Sequence, residues 1–148
     1  MTLQSVATAE NFPAVHPVHQ PLSPKRILVV DDEMFVRQLI SDVLVDSGYH
    51  VDTVKDGEAG WKALHAARHA PESYHLVITD NNMPKLSGIE LIRKLRAERV
   101  ALPIILASGT PPTELERADL TESLQPVAIL IKPFSISDLM QMVKNACW

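Results

Sequence analysis

The hydrophobic and polar positions of the chain alternate between short apolar runs and longer segments with helical periodicity. The short runs cover residues 27–30, 76–78, 104–106 and 127–131, and they predict strands. The first of them has the pattern of a strand that is buried on both faces of a parallel sheet. A further segment, His50–Val54, alternates polar and apolar residues, which is typical of a half-exposed edge strand. The sequence therefore predicts five strands.

The segments that follow the strands carry apolar residues three or four positions apart, as on the buried face of an amphipathic helix. Gly48 follows the first of these segments, where a helix end favours a left-handed residue, and Pro71 follows the second. The predicted helices lie around residues 36–44, 58–70, 87–98, 113–120 and 136–143. Each strand is thus followed by a helix.

This alternation predicts a single α/β domain with an open parallel sheet covered by helices on both faces. A right-handed crossover between parallel strands brings each helix back onto the sheet. Ligands in such folds bind beyond the carboxyl ends of the strands, where the strand order reverses. The residues that follow each predicted strand are therefore the first place to look for a site.

The composition of the chain narrows the classes of function that are expected for the protein. The chain has 148 residues and 46% hydrophobic residues, enough for one domain with a real core. It carries 18 Asp and Glu against 14 Lys and Arg without a basic cluster, so direct binding of nucleic acid is not expected. No apolar run approaches the roughly 20 residues of a membrane span, and Cys147 has no partner for a disulfide. A cytoplasmic protein without membrane insertion is expected.

The first 24 residues differ from the rest of the chain. They contain Pro13, Pro17, Pro21 and Pro24 and show no sustained apolar period. No Lys or Arg precedes Lys25, so a secretory signal is not predicted. We expect residues 1–24 to form a flexible tail and residues 25–148 to form the domain.

Polar, chemically capable side chains follow four of the predicted strands. Asp31 and Asp32 follow the first strand, Asp80 ends the third, Ser108 follows the fourth and Lys132 follows the fifth. Taken singly, Asp32 could cap a helix, Asp80 could open a turn and Lys132 could simply be solvated. Because these strand ends meet at one edge of the sheet, the combination favours a functional site.

The residue types at this edge indicate phosphoryl transfer. Carboxylates that lie a few ångströms apart repel one another unless a cation holds them ionised. Oxygen ligands suit a hard divalent ion, and Mg²⁺ is the natural choice. Lys132 adds a positive charge, and the Ser108 hydroxyl can donate a hydrogen bond to a phosphoryl oxygen while Asp80 attacks phosphorus in line.

Four segments, ILVVDDE, TDNNMPKLSG, PIILASG and IKPF, together resemble the signature set of the response-regulator receiver domain of two-component signalling. The four motifs occur in the family's order, and the resemblance covers residues 25–148. It implies a flavodoxin-like fold with a five-stranded parallel sheet of order 2-1-3-4-5 and five helices.

The resemblance also implies a metal site around Asp80, which would be the phosphorylated residue. Asp31 and Asp32 would be the acidic pair that binds Mg²⁺, with Asp32 as the more direct ligand. The main-chain carbonyl of Asn82 would be a further ligand, and Gly88 would shape the loop after Asp80.

Other matching positions would surround the phosphoryl group. Lys132 would contact it and would be joined to Pro133 by a cis peptide bond. Ser108 would be the switch hydroxyl that is drawn in upon phosphorylation. Asn81 and Gly109 would be neighbours of the phosphoryl group, and Gly109 would leave room for it.

A receiver is a signalling switch whose only chemistry is directed at its own aspartate. The resemblance implies phosphorylation by a sensor histidine kinase or a histidine phosphotransfer protein. A stand-alone receiver is expected, whose conformational change is sensed by a separate, unknown downstream protein. Ile129 stands where the family commonly has an aromatic residue, and segment 110–126 departs from the usual pattern, so the output surface is expected to be unusual.

Alternatives from other classes stay open at this stage. A phosphatase with an aspartyl nucleophile typically has a second acid two residues on, where this chain has Asn82. A flavodoxin-like flavin carrier needs a neutral, amide-rich loop where Asp31, Asp32 and Glu33 would repel the flavin phosphate. A pseudo-receiver or scaffold would bind partners without being phosphorylated.

Two further features are predicted to be structural. His65 and His69 lie one helical turn apart, but no third ligand accompanies them, so an exposed helix face is expected rather than a metal clip. Trp61 and Trp148 are expected to be packing or surface residues.

Overall fold

The computed structural model describes residues 24–68 and 73–147. The elements in these residues alternate between strand and helix, as the sequence predicts. They are β1 (Arg26–Val30), α1 (Met34–Asp46), β2 (His50–Val54), α2 (Gly57–Ala67), β3 (Leu76–Asp80), α3 (Gly88–Ala97), β4 (Ile104–Ser108), α4 (Glu114–Thr121), β5 (Val127–Ile131) and α5 (Ile136–Ala146).

All five strands are parallel and lie in the order β2-β1-β3-β4-β5. The predicted α/β fold class, with its flavodoxin-like strand order, is confirmed. The chain leaves β1 toward one side of the sheet and β3 toward the other, so the strand order reverses between these two neighbours. This is the place where open parallel sheets bind ligands at the carboxyl ends of their strands.

The core lies in two layers, one on each face of the sheet. Along β1, Ile27 and Val29 point into the layer beneath α1 and α5, while Leu28 and Val30 point into the layer beneath α2 and α3. All four side chains are fully buried. The continuous apolar run of β1 follows from this position, because a central strand covered on both faces has no polar side.

The strand β5 pairs only with β4 and lies at the edge of the sheet, as the order 2-1-3-4-5 implies. Within it only Leu130 is buried, and Ile131 is 45% exposed. Its apolar run therefore belongs to an edge strand that is only partly covered, because apolar composition alone does not distinguish a central strand from an edge strand.

Two predictions concern residues that the structure does not describe. His69 and Trp148 lie outside the described residues, as does the predicted tail except for Pro24. His65 is half exposed on α2, its ring centroid lies 5.3 Å from that of Trp61, and its Nδ1 lies 3.7 Å from Glu98 Oε1.

A polar group ties β1, β2 and the start of β3 together at the edge opposite the predicted site. Arg26 Nη2 donates to Asp52 Oδ2 at 2.8 Å, and the Tyr74 hydroxyl donates to the same oxygen at 2.6 Å. The guanidinium also lies over the Tyr74 ring, 4.2 Å from its centroid. The Tyr74 hydrogen bond chiefly lowers the pKa of Asp52, whereas burial and the Asp52 charge raise the pKa of Tyr74 to about 12.

We expect Tyr74→Phe to lower the free energy of unfolding by about 1 kcal/mol, because the Asp52 carboxylate loses a donor at a partly solvated site. The folded-state pKa of Tyr74 is raised, so this contribution is fully present below the unfolded pKa of about 10 and is lost as the pH rises through about 12. Chemical denaturation of both proteins at neutral and alkaline pH measures the difference.

Tyr49→Phe is the matched control, because the Tyr49 hydroxyl makes no hydrogen bond within residues 24–68 and 73–147. Its effect should stay within about 0.5 kcal/mol. An equal loss in both variants would show that the Tyr74 hydroxyl contributes nothing specific.

Candidate functional site

Three carboxylates meet at the carboxyl edge of the sheet, between β1 and β3. One oxygen from each of Asp31, Asp32 and Asp80 lies within 4.8 Å of the others. The register explains the meeting, because Val30 pairs with Thr79 and the following residue of each strand therefore lies beside its counterpart. Asp31 and Asp80 are buried and Asp32 is exposed. The structure thus brings together the acids that the sequence analysis singled out.

The acidic pair is held by the turn between β1 and α1. Asp31 Oδ1 accepts a hydrogen bond from the Glu33 N–H at 2.8 Å, and Arg37 Nη1 donates to the Asp31 main-chain carbonyl at 2.6 Å. The N-cap position of α1 is Glu33, and no side chain caps it. The structural interpretation of Asp32 as a helix cap is therefore wrong.

Lys132 places an ammonium group against the cluster. Its Nζ lies 3.3 Å from Asp80 Oδ1 and 3.5 Å from Asp31 Oδ2. The Lys132 main-chain N–H donates to the Ser108 carbonyl at 2.8 Å, which fixes the residue at the end of β5. The following bond to Pro133 is cis, as the resemblance implies. Lys132 is therefore part of the site rather than a solvated surface lysine.

The site carries more negative than positive charge. Burial raises the pKa of Asp80, and the Asp31 charge raises it further, although Lys132 acts in the opposite direction. For Lys132, burial lowers the pKa, but the Asp31 and Asp80 charges more than offset this effect and the net pKa is raised. Three carboxylates share one ammonium group, so a further cation would relieve the excess negative charge.

The donor set fits a hard divalent cation. Every candidate ligand in the cluster is a carboxylate oxygen, and the spacing allows one ion to reach all three acids. Magnesium prefers such oxygen ligands, completed by waters and phosphate oxygens. The residues present are therefore suited to a metal of this class.

Asp80 is fixed by the strand next to it. It pairs with Ala107 of β4, and the Asn81 N–H donates to Asp80 Oδ1 at 2.9 Å and to the Ala107 carbonyl at 3.0 Å. Asn82, the next residue, is exposed at the start of the loop toward α3. The side chain of Asn81 points elsewhere, since its Oδ1 accepts a hydrogen bond from the Ile89 N–H at 3.0 Å.

Ser108 lies at the end of β4, and its hydroxyl forms hydrogen bonds within the loop that follows the strand. The side chain is buried, its hydroxyl donates to the Thr110 carbonyl at 2.7 Å, and the Thr110 N–H donates back to Oγ at 3.3 Å. Gly109 is exposed, and a Cβ built there would meet nothing within 4 Å. The space beside Gly109 is therefore open.

Arg37 is a residue of the site that the sequence analysis missed. It lies in the first turn of α1, where the helix dipole disfavours a positive charge. That unfavourable position is the signal that could have identified it, because a cation there needs a specific acceptor. The acceptor is the main-chain carbonyl of Asp31.

Residues 27–144 match the family model of the response regulator receiver domain. The chain belongs to this family, and the resemblance noted in its four sequence motifs is confirmed. Receiver domains are signalling switches of two-component systems rather than classical enzymes. Among the helices of the described residues, none combines the length and the apolar character needed to cross a membrane.

Curated relatives fall into longer and shorter proteins. The transcriptional regulatory protein PdtaR of Mycobacterium tuberculosis is 32% identical over 124 residues, which cover 83% of this chain and 57% of PdtaR. The probable chemotaxis protein CheY of Rhizobium etli is 33% identical over 121 residues, which cover 77% of this chain and 85% of that protein. The chain thus spans about half the length of the former and most of the latter.

Solved structures show the same fold. The response regulator TrrA of Thermotoga maritima, in complex with Mg(2+)-BeF, superposes with a TM-score of 0.68 at 34% identity, covering 82% of this chain and 98% of TrrA. A receiver domain protein of Clostridium thermocellum gives a TM-score of 0.71 at 30% identity, covering 83% of this chain and 94% of that one.

Gly88 is required by the close approach of α3 to the end of β3. A Cβ at this position would lie 2.5 Å from the Asp80 carbonyl oxygen and 2.7 Å from Leu106 Cδ1. Gly88→Ala is therefore expected to destabilise the fold by about 1–3 kcal/mol, because the neighbouring backbone must move. Thermal or chemical denaturation measures the loss.

Gly109→Ala provides the comparison, because its new methyl group would contact nothing within 4 Å. Its stability should stay within about 0.5 kcal/mol of the wild type. If Gly88→Ala were equally stable, the close packing of α3 against Asp80 would not be a constraint.

Proposed function

We propose that Asp80 accepts a phosphoryl group in a Mg²⁺-dependent reaction and that the resulting conformational change is sensed by a separate protein in the cytoplasm. The observation that carries this proposal is the meeting of Asp31, Asp32 and Asp80 within 4.8 Å, with Lys132 Nζ 3.3 Å from Asp80 Oδ1. The receiver unit in this proposal is residues 25–148.

Asp31, Asp32 and Asp80 would hold Mg²⁺ through their carboxylates, and the main-chain carbonyl of Asn82 would add a fourth protein ligand. When bound, the ion neutralises charge on the transferring phosphoryl oxygens. The Mg(2+)-BeF complex of TrrA supports this assignment, because that protein is a relative of the same fold.

The reaction itself is an in-line displacement at phosphorus. A carboxylate oxygen of Asp80 forms the new P–O bond while the P–N bond to the donor's phosphohistidine breaks, and the imidazole keeps the electron pair and takes up a proton. Lys132 stabilises the phosphoryl oxygens, and the Asn81 N–H and the two neighbouring strands orient the carboxylate.

Ser108 supplies the switch in this proposal. Its hydroxyl now donates to the Thr110 carbonyl at 2.7 Å. A phosphoryl oxygen on Asp80 is a stronger, charged acceptor, so the hydroxyl turns toward it and releases the loop at Thr110. Gly109 and Pro133 border this movement, which carries the signal toward the face formed by α4 and β5.

The phosphoryl donor is a protein, either a sensor histidine kinase or a histidine phosphotransfer protein. Two apolar side chains in the first turn of α1 support a protein donor, because Phe35 is 84% exposed and Met34 is 61% exposed. Both directly follow the acidic turn, and exposed apolar side chains beside a site are typical of an interaction surface. No direct contact with nucleic acid is part of this function.

Acetyl phosphate tests the phosphoacceptor directly. In the presence of Mg²⁺, the protein should gain one phosphoryl group per chain, measured by intact mass, and should gain none when the metal is chelated. Asp80→Asn should gain none under either condition, while Asp42→Asn, an exposed acid on α1, should behave as the wild type.

The same wild-type and variant proteins distinguish a phosphorylated receiver from a scaffold and from a phosphatase. Absence of Mg²⁺-dependent modification in the wild type would favour a scaffold. Sustained release of inorganic phosphate from a phosphomonoester such as p-nitrophenyl phosphate, abolished in Asp80→Asn, would instead show a phosphatase.

Cation binding can be measured without a phosphoryl donor. We expect Mg²⁺ to bind the wild-type protein in titration calorimetry and Asp32→Asn to bind it at least about tenfold more weakly, a difference of ~1.4 kcal/mol, because one carboxylate ligand is lost. Asp42→Asn is again the matched control. Equal affinity in all three proteins would place the ion elsewhere.

A further inference from the structure

We infer that Asn81 is a positioning residue that ties the metal-binding loop to the first turn of α3. The inference rests on the proposed function, because it concerns how the loop presents its ligand to Mg²⁺. It goes beyond that function in assigning the Asn81 side chain a role directed away from the phosphoryl group.

The main chain of Asn81 links three elements. Its N–H donates to Asp80 Oδ1 at 2.9 Å and to the Ala107 carbonyl of β4 at 3.0 Å. Its carbonyl accepts a hydrogen bond from the Gly88 N–H at 3.0 Å. The residue is thus connected at once to the phosphoacceptor, to the neighbouring strand and to α3.

The side chain of Asn81 also forms a hydrogen bond to α3. Asn81 Oδ1 accepts a hydrogen bond from the Ile89 N–H at 3.0 Å, and the Glu90 N–H donates to Ser87 Oγ at 3.1 Å. The first N–H groups of a helix have no partner within the helix and are usually capped by one side chain just before it. Here Asn81 satisfies two of them from seven residues upstream of Gly88.

These hydrogen bonds close the loop of residues 82–87 at both ends. The loop leaves Asn81 at Asn82, the proposed carbonyl ligand, and returns at Gly88, where a Cβ would lie only 3.0 Å from Asn81 Cα. The hydrogen bond from Gly88 holds the peptide unit between Asn81 and Asn82, and the Asn82 carbonyl belongs to the next peptide unit. The clamp therefore fixes the start of the short loop from which the Asn82 carbonyl is presented. A side chain at position 81 without a hydrogen-bond acceptor would remove one of the two hydrogen bonds that join Asn81 to α3.

The test compares two losses at the same helix end in the full chain. Asn81→Ala removes the acceptor for Ile89, and Ser87→Ala removes the acceptor for Glu90 without touching the phosphoacceptor. Both variants should lose thermal stability to a similar extent. Mg²⁺ titration calorimetry should give a Kd about tenfold weaker for Asn81→Ala, as for other partners that orient metal ligands. The Kd of Ser87→Ala should stay within about twofold of the wild type.

A spectroscopic readout follows the coupling itself. In amide-resolved nuclear magnetic resonance spectra, added Mg²⁺ should shift the signals of Gly88 and Ile89 in the wild type and in Ser87→Ala, but much less in Asn81→Ala. The shift reports the connection between metal site and helix, which a purely structural loss would not remove.

The outcomes distinguish failure of the positioning role of Asn81 from failure of the proposed function. If the wild type binds Mg²⁺ and Asn81→Ala binds it equally well, or if Ser87→Ala weakens it as much, the positioning role is overturned while the proposed function stands. If the wild type binds no Mg²⁺, the proposed function fails and the positioning role fails with it.

Discussion

Electrostatic repulsion among Asp31, Asp32 and Asp80 is the constraint on which the rest of the site depends. Two of these acids are buried, and burial disfavours the charge of Asp80 and raises its pKa. The fold tolerates the cluster because β1 and β3 are held rigidly by two core layers and because Lys132 reaches in from β5. The remaining negative charge makes the site suitable for a divalent cation.

The same constraint explains how the surrounding elements are built. The acidic turn before α1 lacks a side-chain cap, and Arg37 binds the Asp31 carbonyl in a helix position that is otherwise unfavourable for a cation. On the other side, Asn81 and Gly88 allow α3 to begin directly against Asp80. The helix after β1 thus lacks a side-chain cap, whereas α3 keeps its capping box of Ser87 and Glu90 and gains the contacts to Asn81 in addition.

Much of the fold could be predicted from the sequence, because a parallel sheet makes its strands uniformly apolar and places their carboxyl ends at one edge. The burial of β1 and the meeting of Asp31 with Asp80 follow from this rule. The partial exposure of β5 could not be predicted from its composition, since its run is as apolar as that of β1; its edge position followed from the strand order that the resemblance implies. The directions of the Ser108 and Asn81 side chains could not be predicted from the sequence either. Nearby main-chain groups orient the Ser108 hydroxyl and the Asn81 amide, and only the folded loops supply these groups.

The Arg26, Asp52 and Tyr74 group has a consequence for where the molecule can move. It joins β1, β2 and the segment before β3 at the end of the sheet opposite Asp80, and there each charge has an opposite partner within hydrogen-bonding distance. The strands are therefore anchored at their amino ends and electrostatically stressed at their carboxyl ends. Like charges meet at the carboxyl ends and opposite charges meet at the amino ends of these strands. A change of charge at Asp80 therefore acts on the loops that follow β1 and β3, while the ion-paired amino ends keep the strands joined.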